Sequence, residues 1–100
     1  MTPGPGFTLI TSGAVIQHVR LVRQLAAAAG LEGEYLRLLR TMVDALEARP
    51  MDWGDPQHDL LDLGLTVYHR MVNRFTVTYA LDPARRFVYL LSILVLDPPG

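Results

Sequence analysis

The stretch "RFTVTYALDPARRFVYLLSI", residues 74–93, decides the fold because it contains two apolar runs joined by a turn. In the first run apolar and polar residues alternate, which predicts a half-buried β-strand over 75–81. "DPAR" at 82–85 places Asp and then Pro at the first two positions of a turn, as is typical of type I turns. The run 87–96 is apolar on both faces and predicts a central strand. This hairpin is predicted to face the core with Phe75, Val77, Tyr79, Phe87, Tyr89 and Leu91.

The same alternation continues upstream, where 65–71 predicts a strand that joins the first one through a tight turn near Val72 and Asn73. Alternate side chains of a strand point to opposite faces of the sheet. The pattern therefore predicts that Val67 lies on the same face as Val77 and Tyr79, with His69 as a hydrogen-bonded core residue. The opposite face is predicted to carry Tyr68, Arg70, Thr76 and Thr78.

The first half of the chain predicts one short strand and two helices. "FTLI" at 7–10 is apolar and β-prone, and precedes a helical pattern that begins at the N-cap Ser12 and ends before Gly30. "EYLRLLRTMVDALEARP" repeats the helical spacing and ends at Pro50. The acidic segment 51–64 contains Gly and Pro and is predicted to be an irregular connector.

These elements predict one α+β domain over residues 1–100 with the order β-α-α-β-β-β. A helical hairpin packs on one face of a small antiparallel sheet made by the three C-terminal strands, and the N-terminal strand joins at an edge. Residues 1–6 are predicted to be a flexible lead and 97–100 a flexible tail. The apolar last strand exceeds what two helices cover, which predicts a partner on the sheet.

Composition excludes several classes of protein. The net charge is −1, all nine basic residues are Arg, and there is no Cys, so a globally basic nucleic-acid binder and a disulfide framework are excluded. There is no secretory signal, and the longest apolar run, of about ten residues, is half of what a membrane helix needs. His58 lies among aspartates, but Pro56 disfavours a helical ligand arrangement, and His18 has no evident partner. The sequence predicts a cytoplasmic protein with no membrane segment, metal or cofactor.

The order of elements, with Phe75, Val77, Tyr79 and Asp82 in the hairpin and "VYL" at 88–90 in the last strand, resembles the RelE/ParE superfamily of bacterial toxins. The resemblance implies a type II toxin-antitoxin role, in which an antitoxin helix or strand neutralises the toxin. It also implies a target, which is the ribosome in the mRNA-cleaving branch and a protein such as DNA gyrase in the ParE branch.

Three positions depart from the mRNA-cleaving branch. Where that branch places basic residues and a His or Tyr, this sequence has Thr76, Ser92 and Val95. An RNA-cleaving site must stabilise developing negative charge, and these side chains carry no cation. The resemblance therefore implies the fold without that active site, and the protein is expected not to be an enzyme.

The predicted binding residues are the arginines that flank the two turns, together with one tyrosine: Arg70, Arg74, Arg85, Arg86 and Tyr68. Arg forks bind phosphate or carboxylate, so these residues predict a positive edge for a nucleic acid or an acidic partner. In the alternative interpretation the arginines are solvated or pair with the acidic connector 51–64. The partner is predicted to be an antitoxin, or a second copy of the chain bound through the sheet and last strand.

Three functions remain open from the sequence. The first is a toxin-like protein that binds a protein target or only its antitoxin. The second is a non-toxic interaction module on the same scaffold. The third is a divergent ribosome-dependent mRNA endonuclease that uses Arg70, Arg74 and Tyr68, and it requires the arginines to converge on one concave surface.

Overall fold

The computed structural model describes residues 6–95, so the predicted tail and all but Gly6 of the predicted lead lie outside the described residues. It contains a five-stranded sheet with the strand order β1-β5-β4-β3-β2 and three helices. The elements are β1 (Thr8–Ile10), α1 (Gly13–Ala28), α2 (Glu32–Ala48), α3 (Pro50–Trp53), β2 (Asp55–Leu60), a 3₁₀ turn (Leu61–Leu63), β3 (Leu65–Val72), β4 (Phe75–Asp82) and β5 (Phe87–Val95).

The predicted helical hairpin is confirmed, and its boundaries follow from capping. The Ser12 Oγ accepts a hydrogen bond of 3.1 Å from the amide of Val15 at the start of α1. Gly30 has a φ of 77° and follows the helix, as expected for a residue in the left-handed conformation. Pro50 follows the end of α2 and occupies the first turn of α3, where its missing amide costs nothing. No helix among residues 6–95 is long and apolar enough to cross a membrane.

The helices cover one face of the sheet, which we call the helix face. The core between them and the sheet contains Phe75, Val77, Tyr79 and Leu81 of β4, as the sequence predicts. On β5, however, the buried core residues are Val88, Leu90 and Ile93, so the prediction of Phe87, Tyr89 and Leu91 is wrong. A β-bulge between Thr78 and Tyr79 of β4 shifts the register, because β5 has one extra residue there, Leu91.

The N-terminal strand is at an edge of the sheet, as predicted, and it pairs in parallel with the first residues of β5. The prediction of an irregular connector over 51–64 is wrong, because β2 lies within it and pairs with β3 as the other edge strand. All six residues of β2 are exposed, so this strand has no apolar alternation to reveal it. Pairing with β3, rather than burial, forms β2.

Candidate functional site

The predicted site residues lie in two groups at opposite ends of the sheet. Arg74 is in the turn that precedes β4, whereas Arg85 and Arg86 are in the turn that follows β4. β4 has eight residues, and at about 3.3 Å per residue the two turns are roughly 23 Å apart. The arginines therefore do not converge on one concave surface.

Tyr68 and Arg70 lie on the helix face, so the prediction that they share a face with Thr76 and Thr78 is wrong. β3 and β4 pair Tyr68 directly with Tyr79, and paired residues of an antiparallel sheet project to the same side. The two rings stack with their centroids 5.2 Å apart. Arg70 Nη1 donates a 2.8 Å hydrogen bond to the carbonyl of Trp53, and its guanidinium lies 5.4 Å from the centroid of the indole ring. Both residues thus help to hold α3 against the sheet.

Tyr79 is the centre of this aromatic cluster and is completely buried. Its hydroxyl donates a 2.5 Å hydrogen bond to the carbonyl of Pro50 and accepts one of 2.9 Å from the amide of Gly54. Burial raises the pKa of Tyr79 to about 12, because the phenolate loses its hydration. The hydroxyl thus connects the middle of the sheet to both ends of α3.

The β4–β5 turn is held by Asp82, whose side chain is 3% exposed. Asp82 accepts a 3.1 Å hydrogen bond from the amide of Arg85 and forms a 2.8 Å ion pair with the Arg85 guanidinium. These contacts with Arg85 hold the pKa of Asp82 below its usual range. The guanidinium of Arg86 lies 4.9 Å from the centroid of the Phe7 ring. The arginines at this end of the sheet therefore take part in the structure of the turn, and Arg85 is still 69% exposed.

The second face of the sheet carries no helix, and we call it the open face. The register places His69, Thr78 and Ser92 side by side across β3, β4 and β5. His69 is half-buried there, so the prediction that it is a core residue is wrong. The side chains that β3, β4 and β5 contribute to this face, excluding the bulge residue Leu91, are those of Leu65, Val67, His69, Met71, Thr76, Thr78, Ala80, Asp82, Phe87, Tyr89, Ser92 and Leu94. None of these is a cation.

The three positions that depart from the mRNA-cleaving branch occupy different environments. Thr76 is 7% exposed and Ser92 is half-buried, and both lie on the open face. Val95 instead pairs with Phe75 and packs against the core. The open face therefore offers hydroxyl groups near its centre, flanked by apolar side chains such as Met71 and Leu94, which are 63% and 51% exposed.

An apolar groove lies on the other side of the molecule, between α1, α2 and β1. It has a volume of about 290 Å³, and Arg20 is among its lining residues. We call it the helix groove; its apolar lining includes Leu9, Ile16, Val19, Leu39, Met42 and Val43. The sequence pattern missed this groove because it assigned every apolar position of both helices to the core.

The acidic residues around His58 do not form a metal centre within the described residues. No group of three or more His, Asp or Glu side chains among residues 6–95 is arranged to hold a metal ion. Asp59 instead accepts a 2.8 Å hydrogen bond from the hydroxyl of Thr66 on β3. This contact stabilises the edge strand.

The architecture matches that of a known complex. Among solved structures, the chain is similar to the toxin-antitoxin complex RelBE2 from Mycobacterium tuberculosis, with a TM-score of 0.56, covering 95% of this chain and 97% of the matched chain. The chain has a RelE-like toxin fold. Sequence identity is 16%, so the likeness extends to the fold alone. No protein-family model matches the sequence, and no curated protein matches it.

The RelE-like fold confirms the predicted α+β architecture of a helical hairpin on a sheet. It also explains why the short N-terminal strand is far in sequence from its neighbour β5, because the helical hairpin separates the two strands along the chain. The edge strand β2 adds to the architecture that the sequence predicted.

Proposed function

We propose that this protein is a toxin-like component of a bacterial type II toxin-antitoxin system that acts through protein contacts. It either binds a protein target, such as DNA gyrase, or retains only antitoxin binding. The RelE-like fold supports the role in a toxin-antitoxin system. The absence of cations from the open face of β3, β4 and β5 is the observation that carries the mode of action.

RNA cleavage requires positive charge at the reacting phosphate. Thr76 and Ser92 supply only hydroxyl groups, and Val95 packs against the core. Arg70, which a divergent endonuclease would need, lies on the helix face and bonds to the backbone of Trp53. These positions count against the third function and support one without catalysis, so the expectation that the protein is not an enzyme stays a prediction.

We propose that an antitoxin helix binds the helix groove. Its apolar floor suits one face of an amphipathic helix, and Arg20 suits a carboxylate on that helix. The toxin-antitoxin nature of the matched complex supports an antitoxin partner. A cytoplasmic location, where such a partner and a gyrase or ribosome target would be met, stays a prediction.

A non-toxic interaction module is the second candidate function. Met71 and Leu94 leave apolar surface exposed on the open face, and such surface suits a protein partner whether or not the chain is toxic. The two candidates differ in the effect of the free protein on cell growth.

Induced expression in a bacterial host without the antitoxin separates the functions. Growth arrest with intact mRNA is the expected result for a toxin that binds a protein target, and mRNA is examined by primer extension in translating cells. Arrest accompanied by mRNA cleavage would overturn the proposal in favour of the endonuclease. Normal growth at a verified expression level would leave the interaction module or a chain that only binds its antitoxin.

The contribution of the arginines is tested at each end of the sheet separately. We expect either Arg70→Ala/Arg74→Ala or Arg85→Ala/Arg86→Ala to relieve the arrest, because the two turns are too far apart to contact one small site. Arg37→Ala/Arg40→Ala on α2 is the matched control with the same loss of charge. Circular dichroism checks that each variant folds, since Arg70 and Arg85 have structural contacts. Undiminished arrest in both turn variants would refute the assignment of these binding residues.

The helix groove is tested with Ile16→Glu, because Ile16 lines the groove and is 43% exposed. We expect this variant to remain active and to resist neutralisation by the product of a short adjacent reading frame. Leu61→Glu, at an 84% exposed position outside the groove, is the control. Equal neutralisation of both variants would place the antitoxin elsewhere.

A further inference from the structure

The two edges of the sheet differ in how they are protected. β2 is short and fully exposed, and contains Pro56 and two aspartates, which are features that discourage pairing with another strand. At the other edge β1 pairs only with Phe87–Tyr89 of β5. The remainder of that edge, from Leu91 to Val95, has no strand partner among the described residues. We call this segment the open edge.

The open edge is closed only by one side chain. Ile93 Cα pairs with Val77 of β4, yet its backbone carbonyl and amide lie 2.9 and 3.3 Å from Nε2 of His18 on α1. Both backbone groups of Ile93 therefore point away from β4, toward the position that a sixth strand would occupy. A single imidazole nitrogen cannot be a full donor and a full acceptor at once, so His18 leaves part of this hydrogen-bonding capacity unused.

The chemistry around the open edge suits another apolar strand. β5 has no charged residue and no Pro, which are the usual devices that block strand addition. Leu91 and Leu94 are 44% and 51% exposed. Leu21 and Leu25, three and seven positions after His18 on α1, lie on the same flank of the helix and are 52% and 53% exposed. Apolar surface thus extends from the open edge onto α1.

We propose that the open edge is a dimerisation site, at which β5 of a second copy of this chain pairs antiparallel with β5 and displaces the His18 side chain. This inference does not depend on the proposed function, because it concerns the free protein whether or not it is toxic. A second copy is the occupant that the edge itself favours, because an uncharged strand whose outward groups centre on Ile93 is complementary to itself under two-fold symmetry.

The symmetric pairing has a defined register. Ile93 faces Ile93 of the other copy, and the two residues exchange both backbone hydrogen bonds, so Ser92 of each copy faces Leu94 of the other across a non-hydrogen-bonded pair. The two sheets join into one, and the α1 helices of both copies lie on the same side of it. Leu21 and Leu25 are then brought toward the dimer axis, where dimerisation buries exposed apolar surface.

Disulfide trapping tests this register directly, because the chain has no Cys. In a non-hydrogen-bonded antiparallel pair the Cα atoms are about 4.5 Å apart, which is within the range for a disulfide. We expect Ser92→Cys/Leu94→Cys to form a covalent dimer on mild oxidation. The control Leu61→Cys/Met71→Cys has two exposed cysteines away from the open edge and is expected to remain mainly monomeric. Equal cross-linking of both variants, or none of either, would overturn the proposal.

Analytical ultracentrifugation of the unlabelled chain provides the independent measurement. The wild type is expected to show a concentration-dependent monomer-dimer equilibrium, and Leu94→Asp to be monomeric because two carboxylates would lie near the axis. Met71→Asp, on the same open face but on β3, is the matched control and should dimerise normally. A wild-type chain that stays monomeric at all concentrations would refute the proposal and leave the edge to a different protein.

The role of His18 has a test that distinguishes a displaceable side chain from a purely structural one. We expect His18→Ala to lower the dimer dissociation constant several-fold, because the backbone groups of Ile93 no longer need to be released. A purely structural role predicts a less stable fold with unchanged or weaker dimerisation, and that result would overturn the displacement step.

Discussion

Removing the Tyr79 hydroxyl is the most informative test of how the fold is held together. The substitution Tyr79→Phe keeps the ring, which stacks on Tyr68 at 5.2 Å and lies 6.0 Å from Trp53. It deletes the hydrogen bonds to the Pro50 carbonyl and from the Gly54 amide. The effect therefore reports two polar contacts without a change of packing.

The magnitude follows from the two backbone groups that lose their partner. A buried polar group without a hydrogen bond costs about 1–3 kcal/mol. Gly54 is only partly buried, so water offsets some of the loss at its amide. We therefore expect Tyr79→Phe to lower the free energy of unfolding by about 2–4 kcal/mol, which is a large share of the roughly 5–15 kcal/mol of a typical domain.

Two further tyrosines provide matched controls. Tyr35 donates a single 2.9 Å hydrogen bond to the carbonyl of Val19, so Tyr35→Phe is expected to cost about 1 kcal/mol. The hydroxyl of Tyr68 makes no hydrogen bond within residues 6–95, and Tyr68→Phe is expected to cost less than about 0.5 kcal/mol. Urea unfolding followed by far-ultraviolet circular dichroism gives all three values. If Tyr79→Phe costs no more than Tyr68→Phe, the hydroxyl does not hold α3 and the inference is wrong.

Two other perturbations test the same region and the buried tyrosines. Gly54→Ala should destabilise the protein by about 1–3 kcal/mol, because a Cβ atom would lie 2.8 Å from the Tyr79 hydroxyl, whereas Gly33→Ala meets nothing within 4 Å and should be neutral or stabilising in thermal unfolding. Burial raises the pKa of Tyr35 and Tyr79 to about 12 from 10.0, so the unfolded chain releases these protons first as pH rises. Stability should be unaffected by these groups below pH 10 and fall between about pH 10 and 12. Tyr35→Phe/Tyr79→Phe should flatten that decline in urea unfolding, and an unchanged decline would contradict the assignment.

The sequence alone determined the helices, the turns and the alternation of β4. Ser12 and Gly30 set the limits of α1 through contacts with their own neighbours along the chain. The alternation of Phe75, Val77 and Tyr79 predicted the core side of β4 because one face of that strand is uniformly apolar. In each case the decisive interaction is local or repeats at a fixed spacing, so a single sequence contains it.

The candidate site was harder to predict because it depends on which face each strand presents. Tyr68 and Arg70 alternate with Val67 and His69, and both sets of side chains can pack against apolar surface. The pairing of Tyr68 with Tyr79 and the contact of Arg70 with Trp53 fix the face. Sequence alternation defines two faces of a strand but does not say which one meets the helices.

Only the tertiary structure decided the register of β5, the existence of β2 and the open edge. β5 is apolar on both sides, so nothing in its sequence locates the extra residue Leu91 at the bulge. β2 is polar throughout and becomes a strand by pairing with β3. The contact of His18 with Ile93 joins residues 75 positions apart. These features rest on backbone hydrogen bonds between distant segments, and backbone groups are the same in every residue except Pro, so side-chain patterns do not encode them.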